Sequence, residues 1–315
     1  MHFARKIVWF LVLIEVGWTV AAILKRRSQP PEPSFGKEQL PEEFGKWFFN
    51  FGWNNNEDEN NPWELSGLFE GDILLDSPAA TRNGILNEAL RWPNATIPYY
   101  IEDDDFSDEE QFIILRALRE FHLKSCVRFR PYEDDDPSWI TFRSGSPGCW
   151  TGVGMKPDGQ IVNLHSPSCV KHGVIIHEVL HSLGFFHQQS ASDRDSYVKI
   201  IWKNIKPGHE RNFNKYSEQV VSSFGVEYDF DSVMHYGSKA FSKNRWPTII
   251  PLRLNVTIGQ RKRLSERDVQ KLQLMYEQQC EERGDLEEEE HPDFIDHYNE
   301  LLSFVSFKTE MPPTL

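Results

Sequence analysis

Between His177 and His187 the chain reads H-E-V-L-H-S-L-G-F-F-H. On a helix, residues four apart share a face, so His177 and His181 would present two imidazoles to one metal ion with Glu178 beside them. Catalytic zinc takes three protein ligands and keeps a fourth position open. Gly184 suits a helix stop, since glycine takes the left-handed conformation at little cost, and the chain can then turn back to bring in His187. A lone histidine is more often surface or core, and HExxH alone arises by chance. Three histidines, the glutamate and the glycine at the full H-E-x-x-H-x-x-G-x-x-H spacing imply a zinc site with His177, His181 and His187 as ligands. A metal so held lowers the pKa of its water from about 16 toward about 7. Glu178 cannot easily ligate the same ion as its neighbour His177, so it is expected as the general base that passes the water's proton to a leaving amine. The expected reaction is hydrolysis of a peptide bond.

The motif runs on as H-Q-Q-S-A-S-D-R-D-S-Y-V from His187, and Ser232-Val233-Met234-His235-Tyr236 follows downstream. Together these stretches resemble the astacin family of metzincin zinc endopeptidases. The resemblance implies a Met-turn with Met234 as an apolar floor beneath the metal. It makes Tyr236 a switchable fifth ligand that helps stabilise the tetrahedral intermediate. Phe69-Glu70-Gly71-Asp72 is similar to the family's prosegment motif, whose aspartate ligates zinc and displaces the catalytic water. A carboxylate can do that chemically, and Gly71 lets the backbone approach the metal. Trp92 and Ile97-Pro98-Tyr99 resemble the start of a mature astacin domain, with Arg82-Asn83 as the activation bond.

The implied fold is α+β: a twisted mixed sheet and an active-site helix above a cleft, with an irregular lower subdomain that ends in a helix. Ser107-Asp108-Glu109-Glu110 is a capping box, and Phe112, Leu115, Leu118 and Phe121 then follow the 3.6-residue period of a buried helix face. Trp139–Phe142 and Gln160–Leu164 read as short strands, the second being the better candidate for the substrate-binding edge. The loop 246–252 is expected to shape the primed side of the cleft. Leu264–Asp268 opens a last helix with Val269, Leu272 and Met275 or Tyr276 on one face.

The wider chain sets the context. Its 315 residues are 39% apolar and carry a net charge of −14. That is enough to bury a sizeable core, and the acidity argues against nucleic acid, which calls for Lys/Arg patches. Arg5 and Lys6 precede the apolar run 7–24, the plan of a signal peptide; the rival is an uncleaved anchor, opposed by Glu15 in mid-run. The expected organisation is a signal peptide (1–22), a propeptide with the zinc-blocking motif (23–82), a catalytic domain (83–280) and an acidic tail (281–315). That tail carries a charge of −9. Its usual meaning is a solvated segment, but Phe294, Tyr298, Leu301, Leu302 and Val305 recur at helical spacing and allow a small docked helix. Behind a signal peptide the four cysteines should be oxidised, and the astacin resemblance implies the pairs Cys126–Cys280 and Cys149–Cys169. Asn94 and Asn255 head glycosylation sequons.

The reading is a secreted, zinc-dependent endopeptidase made as a zymogen, acting on protein or peptide substrates and monomeric. The alternatives are a zinc-bearing binding protein that has lost catalysis, which the intact Glu178 opposes, and a membrane-tethered protease if the leader stays. The chain departs from the family pattern at Gln188, where a glutamate usually receives the new N-terminal ammonium, and at Ala191, usually arginine.

Overall fold

The computed structural model describes residues 29–33, 62–64, 66–75, 87–218, 220–284 and 291–310. The expected leader, the aromatic run 47–53 and the Arg82–Asn83 bond lie outside the described residues.

Six strands form one mixed sheet: β1 (Ile73–Leu74), β2 (Thr96–Ile101), β3 (Arg128–Pro131), β4 (Ile140–Arg143), β5 (Cys149–Gly152) and β6 (Gln160–Leu164). Their spatial order is β1-β5-β6-β4-β2-β3. β3, β2, β4 and β6 run parallel, β5 runs antiparallel to β6, and β1 lies parallel to β5. β6 is buried along its whole length, as expected for a strand with layers on both faces. The assignment of Gln160–Leu164 to the substrate edge is therefore corrected, because both ladders of β6 are taken, by β4 and β5. The edge is β5, and residues of the N-terminal segment occupy its outer side, Ile73 opposite Thr151 and Leu74 opposite Gly152. Cys-Trp-Thr-Gly hides its strand character: it is short, and glycine is depleted in strands.

Helix α1 (Asp108–Lys124) starts at the expected capping box, with both arms present. Its Leu115, Leu118 and Phe121 are fully buried against the sheet. Helix α2 (His172–Ser182) is buried from Gly173 onward; a helix apolar on all sides belongs inside a core, and this one packs on α1, β5 and β6. Gly173 is required there, since a Cβ would stand 2.0 Å from the Arg261 carbonyl carbon. Trp92 donates from Nε1 to Ser182 O (2.8 Å), and Tyr276 OH donates to Leu183 O (2.9 Å). Two orphan carbonyls at the end of α2 are thus satisfied by distant side chains.

After Gly184 regular structure thins out. The lower half has a two-stranded ribbon, β7 (Val198–Ile200) with β8 (Ile249–Pro251), among short 3-10 turns. Its own apolar cluster joins Val198, Ile200, Phe213, Tyr236, Phe241 and Ile249. Helix α3 (Glu266–Arg283) closes the unit, its end tied to α1 by Cys126–Cys280, while Cys149–Cys169 links β5 to the approach of α2. Both pairs are those the resemblance implied.

The acidic tail is not wholly solvated. Pro292–Glu310 forms α4, which lays Phe294, His297, Tyr298 and Leu301 on α1, β3 and Tyr99. Tyr99 OH and His297 Nδ1 are 2.9 Å apart, and the Arg119 guanidinium lies 4.7 Å from the Tyr298 ring centre. Leu302 faces out. The helical spacing outweighed net charge because burial needs only one apolar stripe.

Candidate metal centre

Helix periodicity brings His177 and His181 together, their ring centres 4.7 Å apart. Gly184, at φ +110°, then reverses the chain so that His187 comes within 5.2 Å of His177 and 4.8 Å of His181, ring centre to ring centre. A Cβ at Gly184 would meet Met275 Cε at 2.6 Å, so space as well as φ demands glycine.

Each imidazole has its Nδ1 engaged. His177 donates to Val233 O (2.8 Å), His181 to Phe185 O (2.7 Å), and His187 Nδ1 meets Glu70 Oε2 at 2.7 Å. Such partners fix the tautomer and aim Nε2 at a common point. Into that point comes Asp72, whose oxygens lie 3.1 Å from His177 Nε2, 3.6 Å from His181 Nε2 and 3.2 Å from His187 Nε2. The four ligand atoms lie within 4.8 Å of one another, and all four residues are buried. His181 Nε2 and Asp72 Oδ1 have no hydrogen-bond partner. Buried polar atoms left unpaired are costly, and one cation among them would satisfy both. The charges agree: burial works against a proton on His187, but the Asp72 and Glu70 carboxylates hold its pKa up at about 9. The site calls for a positive charge, which a metal supplies in place of that proton.

Glu178 is fully buried beside this cluster, and neither carboxylate oxygen has a hydrogen-bond partner. Burial first, and then the Asp72 charge, push its pKa well up, while Arg261 pulls it down. Met234 is buried and Tyr236 packs its ring 4.6 Å from that of His187, centre to centre. The Tyr236 hydroxyl donates to Glu70 O.

The sequence reading named Asp72 but gave Glu70 no task. Glu70 is buried, and besides His187 its carboxylate accepts from Tyr216 OH (2.8 Å) and Ser190 Oγ (3.1 Å). Asp268 was also missed. It accepts from Ser232 Oγ (2.6 Å), Val233 N (2.9 Å) and Ser265 N (3.1 Å), so the start of α3 holds the 232–234 turn whose Val233 carbonyl orients His177. The Ser265-x-x-Asp268 capping pattern was the available signal. Lys271 is the third: its ammonium, nine-tenths buried, donates to Gln188 Oε1 at 2.5 Å. Both line a cavity of about 350 Å³ behind His187 and Met234, with Asp193 and Asp268. Nothing in the structure explains alanine at position 191. In the 246–252 loop, Ile249 is buried in the cluster of Tyr236, while Trp246, Ile250 and Leu252 face outward.

Comparison with known proteins follows the same lines. Residues 84–277 match the model of the astacin family of peptidases. Seminal metalloprotease 1 of Drosophila melanogaster is 45% identical over 224 residues, which cover 69% of this chain and 89% of that protein. Meprin A subunit beta of Homo sapiens is 42% identical over 211 residues, 66% of this chain but only 29% of that protein, so the chain spans under a third of that relative's length. Among solved structures, high choriolytic enzyme 1, a hatching-enzyme zinc protease of the fish Oryzias latipes, superposes with a TM-score of 0.56 at 36% identity. It covers 61% of this chain and 96% of its own.

Proposed function

The chain belongs to the astacin family and is a zinc metalloendopeptidase; from that premise we propose that it is a secreted enzyme made latent, blocked by Asp72 and released by cleavage at Arg82-Asn83. One observation carries the proposal. The Asp72 side chain stands among the three imidazoles while its carbonyl accepts from Thr151 N (3.0 Å) on the sheet edge, so one residue fills both the metal position and the strand position a substrate needs. Removal of residues 23–82 after loss of a signal peptide at 1–22 would free both, leaving the catalytic unit 83–280 and the tail 281–315.

Zinc, when bound, would polarise the scissile carbonyl and acidify a water. His177, His181 and His187 would hold it through Nε2, their rings fixed by the Nδ1 contacts. Glu178 would take the water's proton and deliver it to the leaving amine. Its two unpartnered oxygens are suited to that exchange, and departure of Asp72 removes one cause of its raised pKa. Tyr236, freed from the Glu70 carbonyl, would turn its hydroxyl to the developing oxyanion, above the apolar floor of Met234. Exposed Asn94 and Asn255 suit glycosylation, and both disulfides suit an oxidising compartment. Substrates would be proteins or peptides, and the enzyme monomeric.

The test is the uncut Asp72→Ala protein on a fluorogenic peptide. Turnover should appear before any cleavage at Arg82 and vanish with a zinc chelator. Silence of the uncut variant would place the block elsewhere in the prosegment.

A further inference from the structure

The lower half carries an exposed surface outside the metal centre, and it includes the 246–252 loop expected to shape the primed side of the cleft. In a chain with 48 acidic residues, none falls between Asp231 and Glu266, where Lys239, Lys243, Arg245, Arg253 and Lys262 are exposed while Arg261 turns inward to His235 O and Arg263 pairs with Asp231, and none between Asp195 and Glu210, where Lys199, Lys203 and Lys206 lie. These two stretches meet in the β7–β8 ribbon. On the ribbon's inner face Val198, Ile200 and Ile249 pack toward Tyr236; on its outer face Lys199 stands opposite Ile250, both exposed. Trp202 and Leu252 share a hollow with Lys199 and Lys215 on this side. Asp195, at the rim of the hollow, is engaged by Arg194 (3.0 Å) and Lys215 (2.7 Å). Of the large apolar side chains that are exposed among the described residues, five come from this region: Trp202, Trp246, Ile250, Leu252 and Leu254, the last 88% exposed.

We propose that this face docks on an anionic lipid surface. Exposed apolar groups of this size need an explanation in a soluble enzyme. Tryptophan and aliphatic side chains rimmed by lysine and arginine, with the one rim carboxylate, Asp195, held by Arg194 and Lys215, fit the boundary between headgroups and acyl chains: the rings and methyls enter it and the bases meet anionic headgroups. The net charge of −14 makes the point sharper, because the chain as a whole is repelled by such a surface while these two stretches are basic. A sulfated polymer would satisfy the bases and leave the apolar groups without a role. The inference is independent of latency and of the catalytic assignments.

The experiment is sedimentation with vesicles of phosphatidylcholine alone or with phosphatidylserine added. The secreted protein is used as isolated and, in parallel, with N-linked glycan removed enzymatically, since a glycan on Asn255 would stand beside Leu254; binding by the deglycosylated form alone would overturn the proposal. The wild type should bind the phosphatidylserine vesicles, and more weakly as salt rises. The pair Lys199→Glu/Lys203→Glu and the pair Trp202→Ser/Leu254→Ser should each lower partitioning at least about tenfold, with turnover of a short soluble peptide unchanged as the control for folding. No binding by the wild type would overturn the proposal. So would equal binding by wild type and both variants, which would mark a retained N-terminal anchor. Retention on heparin that survives the apolar substitutions, with no vesicle binding, would assign the face to an acidic polymer and also overturn it.

Discussion

The upper and lower halves of this enzyme each contribute to one metal centre, but they are built differently. The upper half places His177, Glu178 and His181 on a buried helix fixed against strands, so backbone ladders set their positions. The lower half places His187, Met234 and Tyr236 on turns, and there side chains do the holding: Asp268 on the 232–234 turn, Gln189 Oε1 on Tyr236 N (3.1 Å), Arg194 on Gln189 O (2.9 Å). Geometry from a helix survives the loss of any one contact. Geometry from a turn depends on a few hydrogen bonds, each worth about 1 kcal/mol, or up to about 3 where a charge takes part.

The upper half should show its weight in chemistry. Glu178→Gln keeps the fold and the zinc, yet should lower kcat by at least about 100-fold, as loss of general-base catalysis does. Zinc content and peptide turnover measured together decide it, and activity near wild type would remove Glu178 from its role.

A pair of substitutions compares the halves directly. Asp268→Ala frees Ser232, Val233 and the cap of α3, so it should weaken zinc binding about 10- to 100-fold by loosening the carbonyl that orients His177, and lower stability by about 3 kcal/mol. Trp92→Phe removes one hydrogen bond from the end of α2 and should cost about 1 kcal/mol of stability with zinc affinity unchanged. Equal losses of zinc affinity in the two variants would erase the distinction.

Gln188 gives a smaller effect. The resemblance ties this position to the mature N-terminus, and on that ground alone Gln188→Glu should help only after correct cleavage. In the structure Lys271 already supplies an ammonium there, so Gln188→Glu should raise the melting temperature by about 2 °C in the uncut protein as well. A gain confined to the cleaved form would return position 188 to the terminus.

The smallest effect concerns acid. Burial would raise the pKa of Glu120, but hydrogen bonds with His172, Lys124 and Leu264 N hold it at about 2, against an ordinary 4.5. A carboxyl lowered on folding contributes stability that is complete above about pH 4.5 and is lost as the pH falls toward 2. Because Glu120 joins α1 to the first turn of α2 and to the segment before α3, Glu120→Gln should flatten the decline of melting temperature below pH 4.5. An unchanged slope would assign the acid sensitivity to other carboxylates.

Much of the centre is legible in the sequence because it is local. The spacing of His177, His181 and Gly184 is helix geometry written in residue types, and the Ser107 cap and the Leu115–Phe121 stripe are of the same kind. Residue resemblance supplied Asp72, both disulfides and the Met-turn. The tertiary structure alone decided the rest: that β5 and not β6 is the edge, that Glu70 grips His187, that Asp268 holds the 232–234 turn, that Lys271 answers Gln188, and that α4 docks. Each of these is a contact between residues far apart in the chain. Local sequence dictates which groups are available, whereas partners across such distances are chosen by the packing of the whole core.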